Sequence, residues 1–255
     1  MLSALIGYSG FIGGNLIQQT KFDDLYNSKN IKDIGGKNYD LVVSAATASL
    51  KWQANLEPKK DWEKIEKFID CLKHIKTKLF ILISTVDVYP NPYNVDEDTL
   101  INPAKLTQGY GRNRYNLEKF IAKTFPNAII IRLPQTFGEG LKKNAVFDLI
   151  YNNRWDLIHK ENKFQWYNLE NIWKDIQLAI KNSLKLVHLA VEPLSVKEVA
   201  KYTLDLDFTN VTKNPPVNYN MLTKYGYLYG SKTKYLYDKE VTLSELKEFI
   251  KSKIK

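Results

Sequence analysis

The chain has 255 residues, and its 44% hydrophobic and 25% charged residues predict one large globular domain with a packed core. Its single cysteine, Cys71, excludes a disulfide framework, no Cys and His spacing fits a metal site, and no apolar run approaches the roughly 18 residues of a membrane-spanning helix. The formal net charge of +9 comes from scattered lysines, without a nucleic-acid-binding motif, so it predicts solvated surface helices or a basic pocket for a phosphorylated ligand, and no nucleic-acid partner.

Short apolar runs alternate with helical patterns in the first half of the chain, which is typical of parallel βαβ units. The first strand begins at Leu2 and leaves no room for a signal peptide, so we expect a cytoplasmic protein. The predicted strands are Leu2–Ile6, Asp24–Tyr26, Asp40–Ala45, Leu79–Ser84 and Ala128–Arg132. The predicted helices are Ile12–Thr20, Asp61–Ile75 and Gln108–Thr124.

The pattern changes beyond Gly140. The fold class predicted for the whole chain is α/β, a Rossmann-type doubly wound parallel sheet with a small C-terminal substrate-facing region. Residues 1–140 are predicted to form the dinucleotide-binding core, and residues 141–255 a smaller, interleaved substrate-binding region with some elements returning to the core. Later predicted elements are helices over Lys142–Asn152, Leu169–Asn182, Ser195–Thr203 and Thr242–Ile254, a strand at Leu186–Leu189, and an irregular stretch over Asp207–Tyr237.

A glycine-rich turn joins the first strand to the first helix. Gly7 permits a tight turn, Gly10 lets a pyrophosphate approach the backbone, and Gly13 lets helix and strand pack closely. The N–H groups at the start of the helix attract an anion. The turn predicts a dinucleotide site, with a turn used only for packing as the alternative, and its other cofactor-binding residues are Ser9, Phe11 and Ile12.

The residues after the second strand distinguish NAD from NADP. An acidic residue there would bind the ribose 2′-OH, whereas a basic or hydroxyl side chain suits a 2′-phosphate. Asp23 and Asp24 come too early, at the start of the strand. The segment Asn27, Ser28 and Lys29 therefore favours NADP(H) over NAD(H) as the cofactor.

Three further segments are informative. Two of them stand at the ends of predicted strands, and one opens a predicted helix. They are Ile83–Tyr89 (ISTVDVY), Tyr110–Arg114 (YGRNR) with Glu118 on the same helix, and Arg132–Gly138 (RLPQTFG). Together with the glycine turn, they resemble the extended short-chain dehydrogenases/reductases, the NAD-dependent epimerases and dehydratases of nucleotide sugars. The resemblance covers roughly residues 1–200.

The resemblance implies three catalytic residues, Thr85, Tyr110 and Arg114. A tyrosine needs a neighbouring cation to move a proton near neutral pH, and a residue four positions on shares its helix face. In the family that residue is a lysine that also binds the nicotinamide ribose, so Tyr110 and Arg114 are cofactor-binding residues too. The rival pair Tyr115 and Lys119 has the family spacing, but a five-residue step rotates about 140° on a helix. Gly111 and Glu118 match the family pattern around Tyr110, so we reject the rival.

The substrate side is less sharply defined. In the sugar-nucleotide 4,6-dehydratases that the chain resembles, adjacent Asp and Glu residues follow the threonine and eliminate water. Val86, which follows Thr85, is not an acid, so the resemblance disfavours a dehydratase. It implies ketone reduction or epimerisation of a nucleotide-activated sugar or related small carbonyl compound. A non-catalytic dinucleotide sensor or scaffold remains the alternative, because Arg114 departs from the family lysine. The region after Asp207 is short for the resembled family. We therefore expect a substrate pocket that is open, small or completed by a partner subunit, as in a homodimer. Small residues predicted to line the cofactor are Ala45 and Ala46.

Four residues are predicted to bind substrate: Asp87, Gln135, Lys143 and Asn144. Asp87 follows Thr85 at the strand end, where it contacts substrate or caps the loop. Lys143 and Asn144 either neutralise a diphosphate through charge-assisted hydrogen bonds or begin a solvated helix. Both alternatives stay open on the sequence.

Overall fold

The computed structural model describes residues 1–47 and 50–254, in which strands and helices alternate over the first half of the chain. The strands are β1 Ser3–Ile6, β2 Asp24–Tyr26, β3 Asn38–Ser44, β4 Lys76–Thr85, β5 Tyr93–Val95, β6 Ile129–Leu133, β7 Gln135–Phe137, β8 Lys163–Phe164, β9 Trp166–Asn168, β10 Leu186–His188, β11 Leu194–Ser195 and β12 Asn220–Met221. The helices are α1 Phe11–Gln19, α2 Lys51–Leu56, α3 Pro58–Leu72, α4 Gly109–Thr124, α5 Ala145–Tyr151, α6 Ile172–Lys181, α7 Val196–Leu204 and α8 Lys239–Lys253.

The central sheet has six strands in the order β10-β6-β4-β3-β1-β2. β1 pairs in parallel with both β2 and β3, and β3 pairs in parallel with β4. The chain therefore leaves β1 towards β2 and returns to place β3 on the other side of β1. This reversal is the switch point at which open α/β sheets bind ligands, beyond the carboxyl ends of the strands. The predicted Rossmann-type fold is confirmed.

The chain divides into two compact units. Unit 1 comprises residues 1–91, 98–132 and 176–187, and unit 2 comprises residues 92–97, 133–175 and 188–255. Unit 1 carries the predicted phosphate turn and the Thr85 and Tyr110 segments. Unit 2 has its own core, in which Trp166 and Leu246 are fully buried with residues of β7, α5 and α7. No helix among the described residues is long and apolar enough to cross a membrane.

Several helix boundaries differ from the sequence prediction. The helix predicted to begin at Asp61 begins at Pro58, where proline suits a first-turn position because that turn needs no N–H donor. It buries Ile65, Phe68, Ile69 and Leu72 against the sheet core, as its periodicity indicates.

The last helix also begins earlier than predicted, at Lys239 rather than Thr242. The carboxylate of Asp238 accepts a hydrogen bond from the Val241 N–H and caps this end. The irregular stretch contains the short strand β12, which pairs with β5. The capping box of Ser195 and Glu198 is present as the sequence indicates.

Candidate functional site

The glycine turn after β1 has the backbone shape that a dinucleotide needs. Gly7 has a φ of +88°, a conformation that side chains disfavour. A Cβ at Gly13 would lie 2.1 Å from the Gly7 carbonyl oxygen, so only glycine lets α1 approach the turn this closely. Gly10 precedes α1 and has no side chain to cap its first N–H groups. An anion can therefore reach the positive end of the helix.

The ends of β1 and β3 meet directly beside this turn. The Ala45 N–H donates a 2.8 Å hydrogen bond to the Ile6 carbonyl, and a Cβ at Gly7 would lie 2.9 Å from the Ala45 backbone. Ala45 and Ala46 are half-buried. Small side chains at the switch point leave room for a flat ligand next to the backbone.

The segment after β2 forms a turn held by its own side chains. The Asn27 N–H donates to Asn30 Oδ1 at 2.7 Å, and the Lys29 N–H donates to Asn27 Oδ1 at 2.9 Å. The side chains of Ser28 and Lys29 are exposed. Asp24, at the start of β2, is engaged by Lys37 at 2.9 Å. None of the residues 27–30 is acidic, so the turn itself contains no carboxylate.

Thr85 and Tyr110 are brought together at the carboxyl end of β4. Burial raises the pKa of the Tyr110 phenol, and the Thr85 side chain lies near enough to oppose part of this rise. The helix can come this close because a Cβ at Gly111 would lie 1.9 Å from the Asp87 carbonyl oxygen. The Tyr110 N–H donates to Asn55 Oδ1 at 2.9 Å, which fixes the start of α4.

Burial decides the protonation state of Tyr110. It raises the pKa of the phenol above its usual value, and Asp87 raises it further, while the positive charges of Arg114 and Lys51 lower it. The net effect is a raised pKa, so the phenol carries its proton near neutral pH. Such a group is ready to donate a proton to an oxygen that gains negative charge.

Arg114 lies over the ring of Tyr110. Its guanidinium carbon is 4.2 Å from the ring centre. Arg114 also forms a buried ion pair with Asp61 of α3, and the side-chain amide of Asn113 donates to the same carboxylate oxygen at 2.8 Å. The rival Tyr115 instead has Lys119 Nζ 5.0 Å from its ring centre.

A second buried ion pair holds α4 against the sheet. Arg132 of β6 donates two hydrogen bonds to the Glu118 carboxylate, at 3.1 and 2.7 Å, and a third to the Tyr89 hydroxyl at 2.7 Å. The Ser84 hydroxyl donates to Glu118 from β4 at 2.5 Å. Glu118, which served to align the sequence around Tyr110, therefore orients the helix that carries this tyrosine.

Two residues of this site escaped the sequence analysis. Lys51, at the start of α2, forms a 2.7 Å ion pair with Asp87 and is half-exposed. Asp61 was taken only as the start of a predicted helix. Lysines and acids are common on helix surfaces, so neither has a local signal that sets it apart. Lys51 and Asp61 come near Tyr110 only through the fold, because their helices follow a strand that ends at the same edge of the sheet.

The other predicted substrate residues lie in unit 2. Gln135 is in β7, and its side-chain nitrogen is buried without a hydrogen-bond partner among the described residues. Asn144 caps α5: its oxygen accepts from the Phe147 N–H at 3.0 Å and its nitrogen donates to the Thr136 carbonyl at 2.8 Å. Lys143 is exposed. No group of three metal-ligating side chains occurs within residues 1–47 and 50–254.

The fold and the strand-end residues define a Rossmann-type α/β protein with a glycine-rich turn after β1 and a threonine and a tyrosine close together at the end of β4. No family model matches the chain. No curated protein matches it in sequence. The similarity of this chain to known proteins therefore lies in its fold.

Solved structures match the chain over its whole length. A dTDP-4-dehydrorhamnose reductase from Clostridium acetobutylicum has a TM-score of 0.73 at 13% identity, with 99% of each chain covered. A UDP-N-acetylglucosamine 4-epimerase from Methanobrevibacter ruminantium has a TM-score of 0.75 at 15% identity, covering 99% of this chain and 98% of that one. The NAD-dependent NDP-hexosamine 5,6-dehydratase TunA has a TM-score of 0.74 at 15% identity, with the same coverage of both chains. The resemblance to the extended short-chain dehydrogenases/reductases is confirmed in the fold.

Proposed function

We propose that the protein is an NAD(P)-dependent oxidoreductase or epimerase of a nucleotide-activated sugar or a related small carbonyl compound. The closeness of Thr85 and Tyr110 carries this proposal, because the two residues stand at the same edge of the parallel sheet as the glycine turn. The similar structures include a nucleotide-sugar reductase and an epimerase, which supports the substrate class.

The residues around the switch point fit a dinucleotide. The shape of the Gly7–Gly13 turn, which a Cβ at Gly13 would fill, suits a pyrophosphate against the backbone. Ser9, Phe11 and Ile12 would contribute to the same cradle, with Ala45 and Ala46 beside it. When bound, the nicotinamide of such a cofactor accepts or donates a hydride. Asn27, Ser28 and Lys29 favour NADP(H), because the turn offers a cation and a hydroxyl but no carboxylate.

Tyr110 is the residue that moves the proton. In a ketone reduction it donates the phenolic proton to the carbonyl oxygen while the carbonyl carbon gains a hydride, and in the reverse direction it accepts that proton. The Thr85 hydroxyl orients the reacting oxygen. The positive charge of Arg114 stabilises the phenolate that forms, in the place that a lysine fills in the resembled family.

Substrate contacts are assigned to the groups that have hydrogen-bonding capacity. Asp87, with its partner Lys51, lies next to Tyr110 in unit 1. In unit 2, the orphaned amide nitrogen of Gln135 is a candidate donor and Lys143 a candidate cation. The side chain of Asn144 caps α5. A substrate at this place would therefore contact a neighbouring backbone group instead of the Asn144 amide. A reductase or epimerase is favoured over a dehydratase because Val86 cannot act as an acid.

Calorimetry with NADP⁺ and NAD⁺ tests the cofactor, and mass spectrometry of ligands retained on the natively purified protein identifies the substrate class. Turnover is then followed with UDP- and dTDP-activated hexoses. Tyr110→Phe should lower kcat by about 10²–10⁴-fold while the dinucleotide Kd stays nearly unchanged. Tyr115→Phe, on the same helix, is the matched control and should keep full activity. A protein that binds neither dinucleotide, or a fully active Tyr110→Phe variant, would refute the proposal.

A non-catalytic dinucleotide sensor is the second candidate, and the placement of Arg114 favours it. The guanidinium is tied to Asp61 and stacked on the Tyr110 ring. If the wild type binds dinucleotide without turning over any nucleotide sugar, and Arg114→Lys combined with Asp61→Asn creates activity, the sensor is the correct function. Turnover by the wild type would eliminate it.

A further inference from the structure

The ion pair between Asp61 and Arg114 is nearly closed off from solvent. The exposed fractions of the two side chains are 12% and 7%. A buried guanidinium without an opposite charge is strongly unfavourable, so the carboxylate decides where this cation rests. The same guanidinium lies 4.2 Å from the centre of the Tyr110 ring.

Asp61 is itself oriented from more than one direction. It lies in the first turn of α3, where the helix dipole favours a carboxylate. Asn113 donates one hydrogen bond to Asp61 Oδ2 at 2.8 Å and another to the Pro58 carbonyl at 2.9 Å. The carboxylate is thus a fixed anchor on α3 that reaches the helix of the proton-transfer residue.

The planar shape of guanidinium allows two contacts that an ammonium cannot make together. Its Nη1 atom pairs with the Asp61 carboxylate while its central carbon stays over the Tyr110 ring. A lysine at position 114 would instead be drawn to the carboxylate as a point charge. Its ammonium would then leave the phenol.

We propose that Asp61 is a positioning residue of the site: it pins the Arg114 guanidinium against Tyr110 and thereby lets an arginine serve where the resembled family has a lysine. This role rests on the proposed function only for its effect on turnover. The placement of Arg114 is a property of the protein alone. A carboxylate that merely joined α3 to α4 would leave Tyr110 and Arg114 as they are.

The spectroscopic test uses Asp61→Asn, which keeps the size of the side chain and removes its charge. The δ protons of Arg114, assigned by comparison with Arg114→Lys, should show an upfield ring-current shift in the wild type and lose most of it in Asp61→Asn. Asp70→Asn is the control, because Asp70 lies on the same helix in an exposed pair with Lys73. An unchanged shift in folded Asp61→Asn would overturn the proposal. If that variant does not fold, Asp61→Glu, which moves the carboxylate by one methylene, takes its place with the same criterion.

The kinetic test is a reversal of sign between two backgrounds. In the wild type, Asp61→Asn should lower kcat about tenfold for the UDP- or dTDP-hexose that is turned over, with little change in dinucleotide Kd. In the Arg114→Lys background, Asp61→Asn should raise kcat, because the freed ammonium can return to the phenol. The same direction in both backgrounds would show a merely structural role. Absence of wild-type turnover would count against the proposed function, while the resonance of Arg114 would still decide the role of Asp61.

Discussion

The two units of the chain bury charge in different ways. In unit 1, Arg114 and Arg132 are each paired with a buried carboxylate. In unit 2, the fully buried carboxylate of Asp175 is held by hydroxyl groups: Tyr167 donates at 2.7 Å and Tyr237 at 2.9 Å. Burial raises the pKa of Asp175 to about 6, although the tyrosine hydrogen bonds oppose this shift.

Because of this difference, we expect the candidate site of unit 1 to depend on geometry and the stability of unit 2 to depend on pH. Opposite charges in unit 1 balance each other, and glycine contacts fix the backbone around them, so the geometry there depends on shape. Around Asp175 the tyrosine hydrogen bonds and the charge of Lys174 offset only part of the effect of burial, so this carboxylate changes its protonation state near pH 6. The comparison therefore predicts that unit 1 is sensitive to added atoms and unit 2 to protons.

The largest combined effect, on stability and on dinucleotide binding together, should come from adding one methyl group to the glycine turn. In Gly13→Ala the new Cβ would meet only backbone atoms, at 2.1 Å from the Gly7 oxygen, which cannot move aside cheaply. We expect a loss of about 2–3 kcal/mol in the free energy of unfolding, and at least about tenfold weaker dinucleotide binding. Urea unfolding and calorimetry measure the two.

The adjacent residue supplies the matched control. A Cβ at Gly14 would meet nothing closer than the Tyr8 oxygen at 3.9 Å, an ordinary contact. Gly14→Ala should therefore stabilise the helix by roughly 0.5–1 kcal/mol and leave binding unchanged. Equal effects at the two positions would show that the turn is not shaped by close packing.

The next effect concerns protons and unit 2. The pKa of Asp175 is about 6 in the folded protein against 3.8 for the ordinary side chain, so the folded state binds the proton more tightly. The contribution of Asp175 to stability is then greatest below about pH 4, falls as the pH rises to about 6, and is constant above, a loss on the order of 3 kcal/mol. Asp175→Asn should abolish this slope when urea unfolding is measured from pH 4 to pH 7. A variant as pH-dependent as the wild type would contradict the assignment.

The smallest effect should be a change of cofactor preference. Lys29 is exposed after β2, and its charge is proposed to attract a 2′-phosphate. Lys29→Glu should weaken NADP⁺ binding by roughly tenfold at low salt and change NAD⁺ binding little, as titration calorimetry would show. Lys32→Glu has the same change of net charge a few residues on and should leave the ratio unaltered. A wild type that prefers NAD⁺ would show that this turn does not select the phosphate.

Local patterns predicted much of unit 1. The β2 strand, the glycine turn and the helix α3 all follow from residues close together in the chain. Such features depend on backbone conformation and periodicity, which a few neighbouring residues determine. Asn144 shows the limit: its candidate ligand amide is used as a helix cap, because an asparagine suits both roles equally well.

The sequence by itself predicted the six strands of the central sheet and the place of the glycine turn, and it singled out Thr85 and Tyr110 as candidates. Only the tertiary structure decided which charges meet. Asp61 and Arg114 lie 53 residues apart, and Lys51 and Asp87 lie 36 apart. Pairs of this kind form because the sheet brings separate strand ends and helices to one edge. Two charges far apart in the chain have no periodicity that announces their contact.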